Sequence, residues 1–555
     1  MKARSWTVAA VAMLFAACGG SGDSGTAVSQ APIPARTSPD TSGGTPPSTT
    51  AAPSDGSAAE SPAPAGTNGP PAAGEYDLDA TLRYARQVNP TQFDPHLSTN
   101  FRTDEVWQEL VYDSLLTMAV DGSGTLQLAP NLASSFEVSE DGLQVTLELR
   151  DDVFFTDGQP FDSAAVQANI ERGQTAEGSG VATVFEQIES VATPDDRTAV
   201  LTLSEPDDEL LYWLATVPGY MVSPAAFDGD LALHPVGTSA YVLAAATDFE
   251  VTYERRSDGQ IWDDRTGLVK TIVITGIPDD NARVSAFQAG EFDVATVQAA
   301  TLPLAKPLVD NGVGTIRYTT PSSISLIYLN IDRPPLDDPR VRSALSLAID
   351  RQLIDQSLFD GDCPATSQML PTGIPGHIAD LEPVYDPERA AALIDEAGAT
   401  GSSFDWTVAN VPALMDTAQA VQQMWADVGI NANLIPFDGS TVRAEFRTGR
   451  GDASMIYLAA TPPEPGVVLG QFAGVDSPGG VPPELTPLVD AALGLRATDP
   501  ARIDAFEDVT RYLYEHPLHI AVCESQSGSL LAPYVVPVLP SYNAFGVDGY
   551  AVVEH

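Results

Sequence analysis

The chain has 555 residues and a formal net charge of -48, from 27 basic and 75 acidic side chains. That leaves no basic footprint for nucleic acid or for an anionic lipid surface, and the plain role of such acidity is solubility and salt tolerance. With 43% hydrophobic residues the chain has more core material than one ordinary domain can bury, so the folded part is expected to form two lobes.

Lys2 and Arg4 precede an apolar run from Trp6 to Ala17, and Cys18 follows at once. This is the order of a secretory signal, and the run is too short for a permanent membrane span. The Leu14-Phe15-Ala16-Ala17-Cys18 junction resembles a bacterial lipobox, with Phe15 where Leu is usual. Residues 1–18 are therefore expected to be a lipoprotein signal peptide, with Cys18 as the lipid anchor. Multiple acyl chains would hold the protein at the membrane, where one would let it go. Residues 19–77 are mostly Gly, Ser, Thr, Pro and Ala, too poor in large apolar groups to offset the entropy of folding, and read as a disordered tether.

The body begins near residue 78. Val145, Leu147 and Leu149 alternate after Asp141-Gly142, and Ala199, Leu201 and Leu203 after Pro194-Asp195-Asp196, as in half-buried strands. Val341, Ala344, Leu345, Ala348 and Ile349 recur at helical spacing after Asp338-Pro339, an N-cap followed by a first-turn proline. The same start opens helices at Asp386-Pro387 and at Asp499-Pro500; the latter presents Ile503, Phe506, Val509 and Leu513. Strands and helices interleave throughout, without an internal repeat, which predicts an α/β body of mixed sheets. Gly158, Gly237 and Gly290 read as turn glycines, and Arg340 and Arg342 as surface partners of nearby carboxylates. Once Cys18 is lipidated, Cys363 and Cys523 remain in an oxidising compartment, either as a disulfide or as two free thiols. His516-Pro517-Leu518-His519 is the one close histidine pair; Pro517 breaks a helical face, so the segment reads as a helix end entering a strand, and no metal site is expected.

Taken in order, several segments resemble the family 5 extracellular solute-binding proteins, the peptide, dipeptide and nickel-binding group of ABC importers. Phe93-Asp94-Pro95-His96 resembles the opening LDPH, Val111 to Leu116 the following vYepLl, and Leu128 to Gly158 the long signature that ends in F.dG. Pro235 to Tyr241 resembles PVGTGPY, with Ser239 and Ala240 replacing its second Gly and its Pro. Gln288 to Asp293, Asn330 to Arg351, Tyr385 to Gly398 and Val428-Gly429-Ile430 complete the order.

The resemblance implies a two-lobed periplasmic-binding-protein-like clamp of the large class, with an extra subdomain. Lobe I would span 78–275 and be rejoined by 520–555, with lobe II at 276–519. A ligand between the lobes would meet Asn100 and Phe101 on the first wall, Ser325 and Tyr328 near the crossover, and Tyr457 and Thr461 on the second. Where oligopeptide-binding members carry an Asp for the peptide amine, Ala459 to Thr461 offer no carboxylate, and Glu464 lies further along. The implied ligand is a small solute, most simply a peptide, without need of a free α-amino group; a nickel-type chelate, through His377 or otherwise, and a sugar are the alternatives. The family alignment puts Cys363 in a loop of the second lobe and Cys523 on the strand crossing back to the first, so a bond between them would also limit lobe movement. Implied partners are the permease and its ATPases, with no cofactor and a monomeric state. The expected location is the outer face of the cytoplasmic membrane. Lys2, Lys270 and Lys306 are the only lysines, and no Ser-x-x-Lys, nucleophile elbow, P-loop or dinucleotide fingerprint appears, so the chain is read as a binder rather than a surface hydrolase or structural protein.

Overall fold

The computed structural model describes residues 76–87, 90, 92–120, 125–298, 301–318, 323–438, 441–458, 464–473, 480–497, 499–539 and 549–553. The signal, the lipobox with Cys18 and nearly all of the tether lie outside them. Tyr76 already bridges Val553, so the folded body starts there rather than at 78.

Strand β1 (Thr81–Arg86) leads to α1 (Phe101–Gln108) and a hairpin of β2 (Leu116–Val120) and β3 (Leu126–Pro130). Next come β4 (Ala133–Val138), β5 (Gln144–Leu149), α2 (Ser163–Thr175), β6 (Ile188–Asp195) and β7 (Thr198–Leu203), whose strands form a four-stranded sheet ordered β4-β5-β7-β6. Val145, Leu147 and Leu149 and then Ala199, Leu201 and Leu203 do fill one buried face, as their alternation requires. After α3 (Glu209–Trp213) the chain makes β8 (Tyr241–Ala246), β9 (Glu250–Arg255), β10 (Thr271–Gly276), α4 (Asp280–Gln288), β11 (Val294–Val297), α5 (Leu302–Asp310) and β12 (Thr315–Tyr318). These strands join β1 in a seven-stranded sheet, β12-β18-β11-β1-β10-β9-β8, where β18 is Gly528–Leu531.

The second sheet is β15-β14-β16-β13-β17, made of β13 (Ser323–Leu329), β14 (Ser403–Ala409), β15 (Asn431–Phe437), β16 (Ala453–Leu458) and β17 (Ile520–Ser525). Around it pack α6 (Pro339–Leu347), α7 (Arg351–Leu358), α8 (Pro387–Glu396), α9 (Pro412–Asp427), α10 (Val442–Arg447), α11 (Pro465–Ala473), α12 (Thr486–Leu493) and α13 (Ala501–Glu515). A final pair, β19 (Val535–Pro537) and β20 (Tyr550–Val552), closes the chain. The Asp-Pro starts behave as read at α6 and α8, where Asp338 and Asp386 accept from Arg340 N and Arg389 N. On α13, Phe506, Val509 and Leu513 are buried, whereas Ile503 lies 37% exposed at the helix start.

The sheet order moves both lobe boundaries. β11 and β12, expected beyond residue 275, hydrogen-bond into the seven-stranded sheet, so the first unit runs on to Tyr318. β17, expected in the first lobe, pairs with β13 in the five-stranded sheet, and the return crossing lies between Ser525 and Gly528. Periodicity marks a strand, but only pairing assigns it to a sheet.

Cys363 and Cys523 are joined in a disulfide with Cα atoms 5.3 Å apart. β17 is an edge strand, and the segment around Cys363 covers it: Thr366 N donates to Val522 O, and Glu524 N to Pro364 O. The bond thus staples a cover onto an otherwise open sheet edge. Both cysteines belong to the five-stranded unit, while Lys306 and Tyr318 of the first unit reach Asp360 and Asp362 just before Cys363. Across a sequence separation of 160 residues, replacing both cysteines by Ser should cost about 2–4 kcal/mol. Urea unfolding should record that loss, and hydrogen exchange should quicken along β17. An unchanged midpoint would mean that the bond adds nothing.

Candidate functional site

The signature segments from the first unit serve the scaffold. Asp94 caps the turn Pro95–Leu97 and takes a two-pronged ion pair from Arg172, which also meets His96 Nδ1. Burial and the Arg172 charge lower the His96 pKa to about 4, so this ring is neutral at pH 7. Gly237 is needed for close approach: a Cβ there would stand 2.1 Å from Val111 O. Asp113 ties two signatures together, accepting from Thr238 Oγ1 at 2.7 Å and from Trp262 Nε1 at 2.9 Å. Arg340 does pair with Asp338 at the surface, but Arg342 is buried and donates to the carbonyls of Pro517, Leu336 and Asp337 rather than to a carboxylate.

Toward the two crossings, Ser325 lies on β13 with Tyr457 of β16 and Cys523 of β17 as its cross-strand neighbours, so the three share one face of the sheet. The Tyr457 hydroxyl bonds to Ser525, and burial raises its pKa. Ser325 is 1% exposed and its hydroxyl meets no partner among the described residues. β14 runs parallel to both β15 and β16, and beyond the carboxyl ends of β14 and β16 lies a cavity of about 380 Å³. Ala409, Val411, Leu414, Val442, Ile456 and Tyr457 line it, with Arg443 as the charged group. Strand carboxyl ends are where open α/β sheets place ligands, and the volume is within the range of small-molecule sites, roughly 300–1,000 Å³.

On the first unit, Phe101 begins α1 with its ring edge-on to Trp213 of α3, centroids 5.7 Å apart. It packs against both hydrophobic cores, which places it at their junction. Asn100 precedes it, exposed, and its side chain caps nothing. Tyr328 is different: 1% exposed, its ring sits between Phe446 and His519, so it is a core residue and not a wall. Thr461 lies outside the described residues. Glu464 is fully buried, bonded at 2.6 Å to Arg502 and accepting from Val467 N, so its carboxylate is committed inside the protein. Trp213 and Ser525 were not anticipated; nothing local in the sequence marks them, because each acquires its role from a partner over 60 residues away.

Neither histidine candidate is placed for a metal. His519 Nδ1 accepts from Leu329 N, and the His377 ring contacts Leu370 O and Thr372 Oγ1. Among the described residues no group of three His, Cys, Asp or Glu is arranged to hold a metal ion.

Residues 127–479 match the family model described as bacterial extracellular solute-binding proteins, family 5 Middle. The chain belongs to this family. It is 30% identical over 377 residues to the glutathione-binding protein GsiB of Salmonella paratyphi A, covering 65% of this chain and 70% of that one. To the protein of the same name from Escherichia coli O1:K1 it is 31% identical over 341 residues, 59% of this chain and 64% of that one. Its fold is that of NikA from Brucella suis in complex with Fe(III)-EDTA, with TM-score 0.72, 24% identity and coverage of 85% of this chain and 99% of that chain. DppA from Helicobacter pylori in complex with peptide STSA gives TM-score 0.68 at 19% identity, covering 86% and 99%. The body is therefore a two-lobed clamp, and as a family 5 protein the chain is the extracytoplasmic substrate-binding component of an ABC importer, a binder and not an enzyme. Among the described residues no helix is long and apolar enough to cross a membrane.

Burial raises the Asp113 pKa from 3.8 to about 6, against the lowering effect of the Trp262 and Thr238 hydrogen bonds. The folded state then holds a proton that the unfolded chain releases, so this group's contribution to stability falls as pH rises from about 4 to about 6. Asp113→Asn should remove that part of the slope. The check is the difference between urea midpoints of the parent and the variant across this window; parallel curves would show that Asp113 does not titrate there.

Proposed function

We propose that this protein is a surface-tethered lipoprotein that captures a small peptide-like solute between its two units and presents it to the permease. Cys18 carries the diacylglyceryl anchor, residues 19–75 act as spacer, and the clamp works as a monomer. The observation that carries the ligand class is the 30% identity over 377 residues to a protein named for binding glutathione, itself a tripeptide.

The site chemistry agrees with that class. The cavity beside Tyr457 is mostly apolar with Arg443 at its lining, which suits a small solute that carries a carboxylate. Glu464 is held by Arg502 and is not available to anchor an amine. Phe101 and Tyr457 supply contact area, while Asn100 and Ser325 set orientation. Tyr328 supports the sheet from behind. Lobe closure over the ligand, about the two crossings, selects the form that docks on the permease.

Two experiments test this reading. Thermal shift and calorimetry with reduced glutathione, di- and tripeptides, and their N-acetylated forms should find a ligand whose affinity does not depend on a free amine. Phe101→Ala and Tyr457→Ala should each weaken it by about 2 kcal/mol, the scale of a buried aromatic contact. A hit that binds both variants as tightly as the parent removes the site from this cleft. Separately, Cys18→Ser should release the protein from the membrane fraction, and retention at moderate salt would mean another attachment.

A further inference from the structure

The four-stranded sheet is inserted in the chain between β1 and β8, so it is covalently part of the seven-stranded unit. Yet its apolar core is continuous with that of the five-stranded unit: Leu147, Leu201 and Leu210 fall in one cluster with Leu326, Phe506 and Val522. The polar bonds across this seam converge on a few residues. Asp208 Oδ1 accepts from Ala497 N at 3.0 Å, and Asp208 Oδ2 accepts from Arg496 Nη1 at 3.3 Å. Arg496 Nη2 reaches a second loop of the insertion and donates to Asp141 O at 3.2 Å.

Next to it, Gly142 has φ +70°, and a Cβ there would lie 2.2 Å from the Arg496 guanidinium carbon. The turn leaves room for that side chain only because residue 142 has none. Arg496 is thus clasped between two loops 67 residues apart in sequence, 141 and 208. Its partner Asp208 is 14% exposed and Arg496 itself 28%. That partial burial makes the pair worth more than an open surface bridge while leaving it within reach of salt.

The seam is also crowded with acid. Asp207, Asp208 and Glu209 lie on the insertion side and Glu464 on the other, with Arg502 seated on Glu464 and 4.0 Å from Asp208. Burial raises the Glu464 pKa, Arg502 opposes the rise, and Asp208 adds to it from across the seam. Without the arginines the two faces would repel.

We infer that Asp208, Arg496 and the Ala497 N–H form a latch that holds the insertion onto the five-stranded unit and sets how far the ligand-free clamp stands closed. The inference rests on the clamp reading above, since the same seam must part when the units open. It also assigns the sign of each substitution. Arg496→Gln leaves Asp208 with only Arg502, 4.0 Å away, to offset it and should open the clamp more than Asp208→Asn, and adding Asp208→Asn to Arg496→Gln should close it part of the way again.

The test uses the mature full-length protein without ligand, with hydrogen exchange read at residues 205–213 and 494–503 and the radius of gyration read by solution scattering. Arg496→Gln should speed exchange in both segments on the order of tenfold, the scale of one charge-assisted hydrogen bond, and expand the molecule. High salt should produce the same change in the parent and little more in the variant. Gly142→Ala, which alters no charge but displaces the guanidinium, should open the seam as well. Exchange that quickens only in the substituted segment, a double variant more open than Arg496→Gln, or an unchanged radius in every variant would overturn the latch. Compaction of the parent by reduced glutathione is read separately: its absence overturns the ligand reading, while the latch is decided by the ligand-free comparison.

Discussion

The architecture depends on one constraint: two strands leave one sheet side by side and enter the other side by side. β12 pairs antiparallel with β18, and β13, the next strand after β12, pairs antiparallel with β17, the strand before β18. Among the described residues no other strand leads directly from one of these two sheets into the other. A two-stranded connection resists twisting more than a single linker would, yet it leaves the units free to swing about an axis across the pair. Ser325, Tyr457 and Ser525 lie where these strands enter the second sheet.

The edge of the second sheet follows from the same arrangement. β17 lies at the rim, and among the described residues no strand pairs with its far side. The segment around Cys363 covers it instead, with backbone bonds on either side of the disulfide. This explains why a disulfide in a chain with so few cysteines falls within one lobe. It fastens a cover to the strand that leads into the return crossing.

Buried and half-buried carboxylates are handled in a consistent way. Asp94 is taken by Arg172, Glu464 by Arg502, Asp208 by Arg496, and Glu524 accepts from Thr372 N and Oγ1. These carboxylates are thereby committed to the fold, since an unpaired buried charge would cost far more than its partner supplies. A chain with a net charge of -48 can in this way bury several of its carboxylates.

The sequence by itself determined the local elements and the family. Alternation at Val145 to Leu149 and Ala199 to Leu203, and the caps at Asp338 and Asp386, are set by neighbours a few residues apart, and the ordered signatures identify a scaffold because turns and caps recur in fixed places. Tertiary structure alone decided what depends on distant partners. It moved β11 and β12 to the first unit and β17 to the second, because sheet membership is a matter of hydrogen-bonded pairing and not of sequence order. It turned Arg342 inward, sank Tyr328 into the core and committed Glu464 to Arg502, all residues whose sequence context is equally compatible with an exposed place. Burial and charge pairing are settled only when segments more than a hundred residues apart in the chain, such as those carrying Arg342 and Pro517, come into contact.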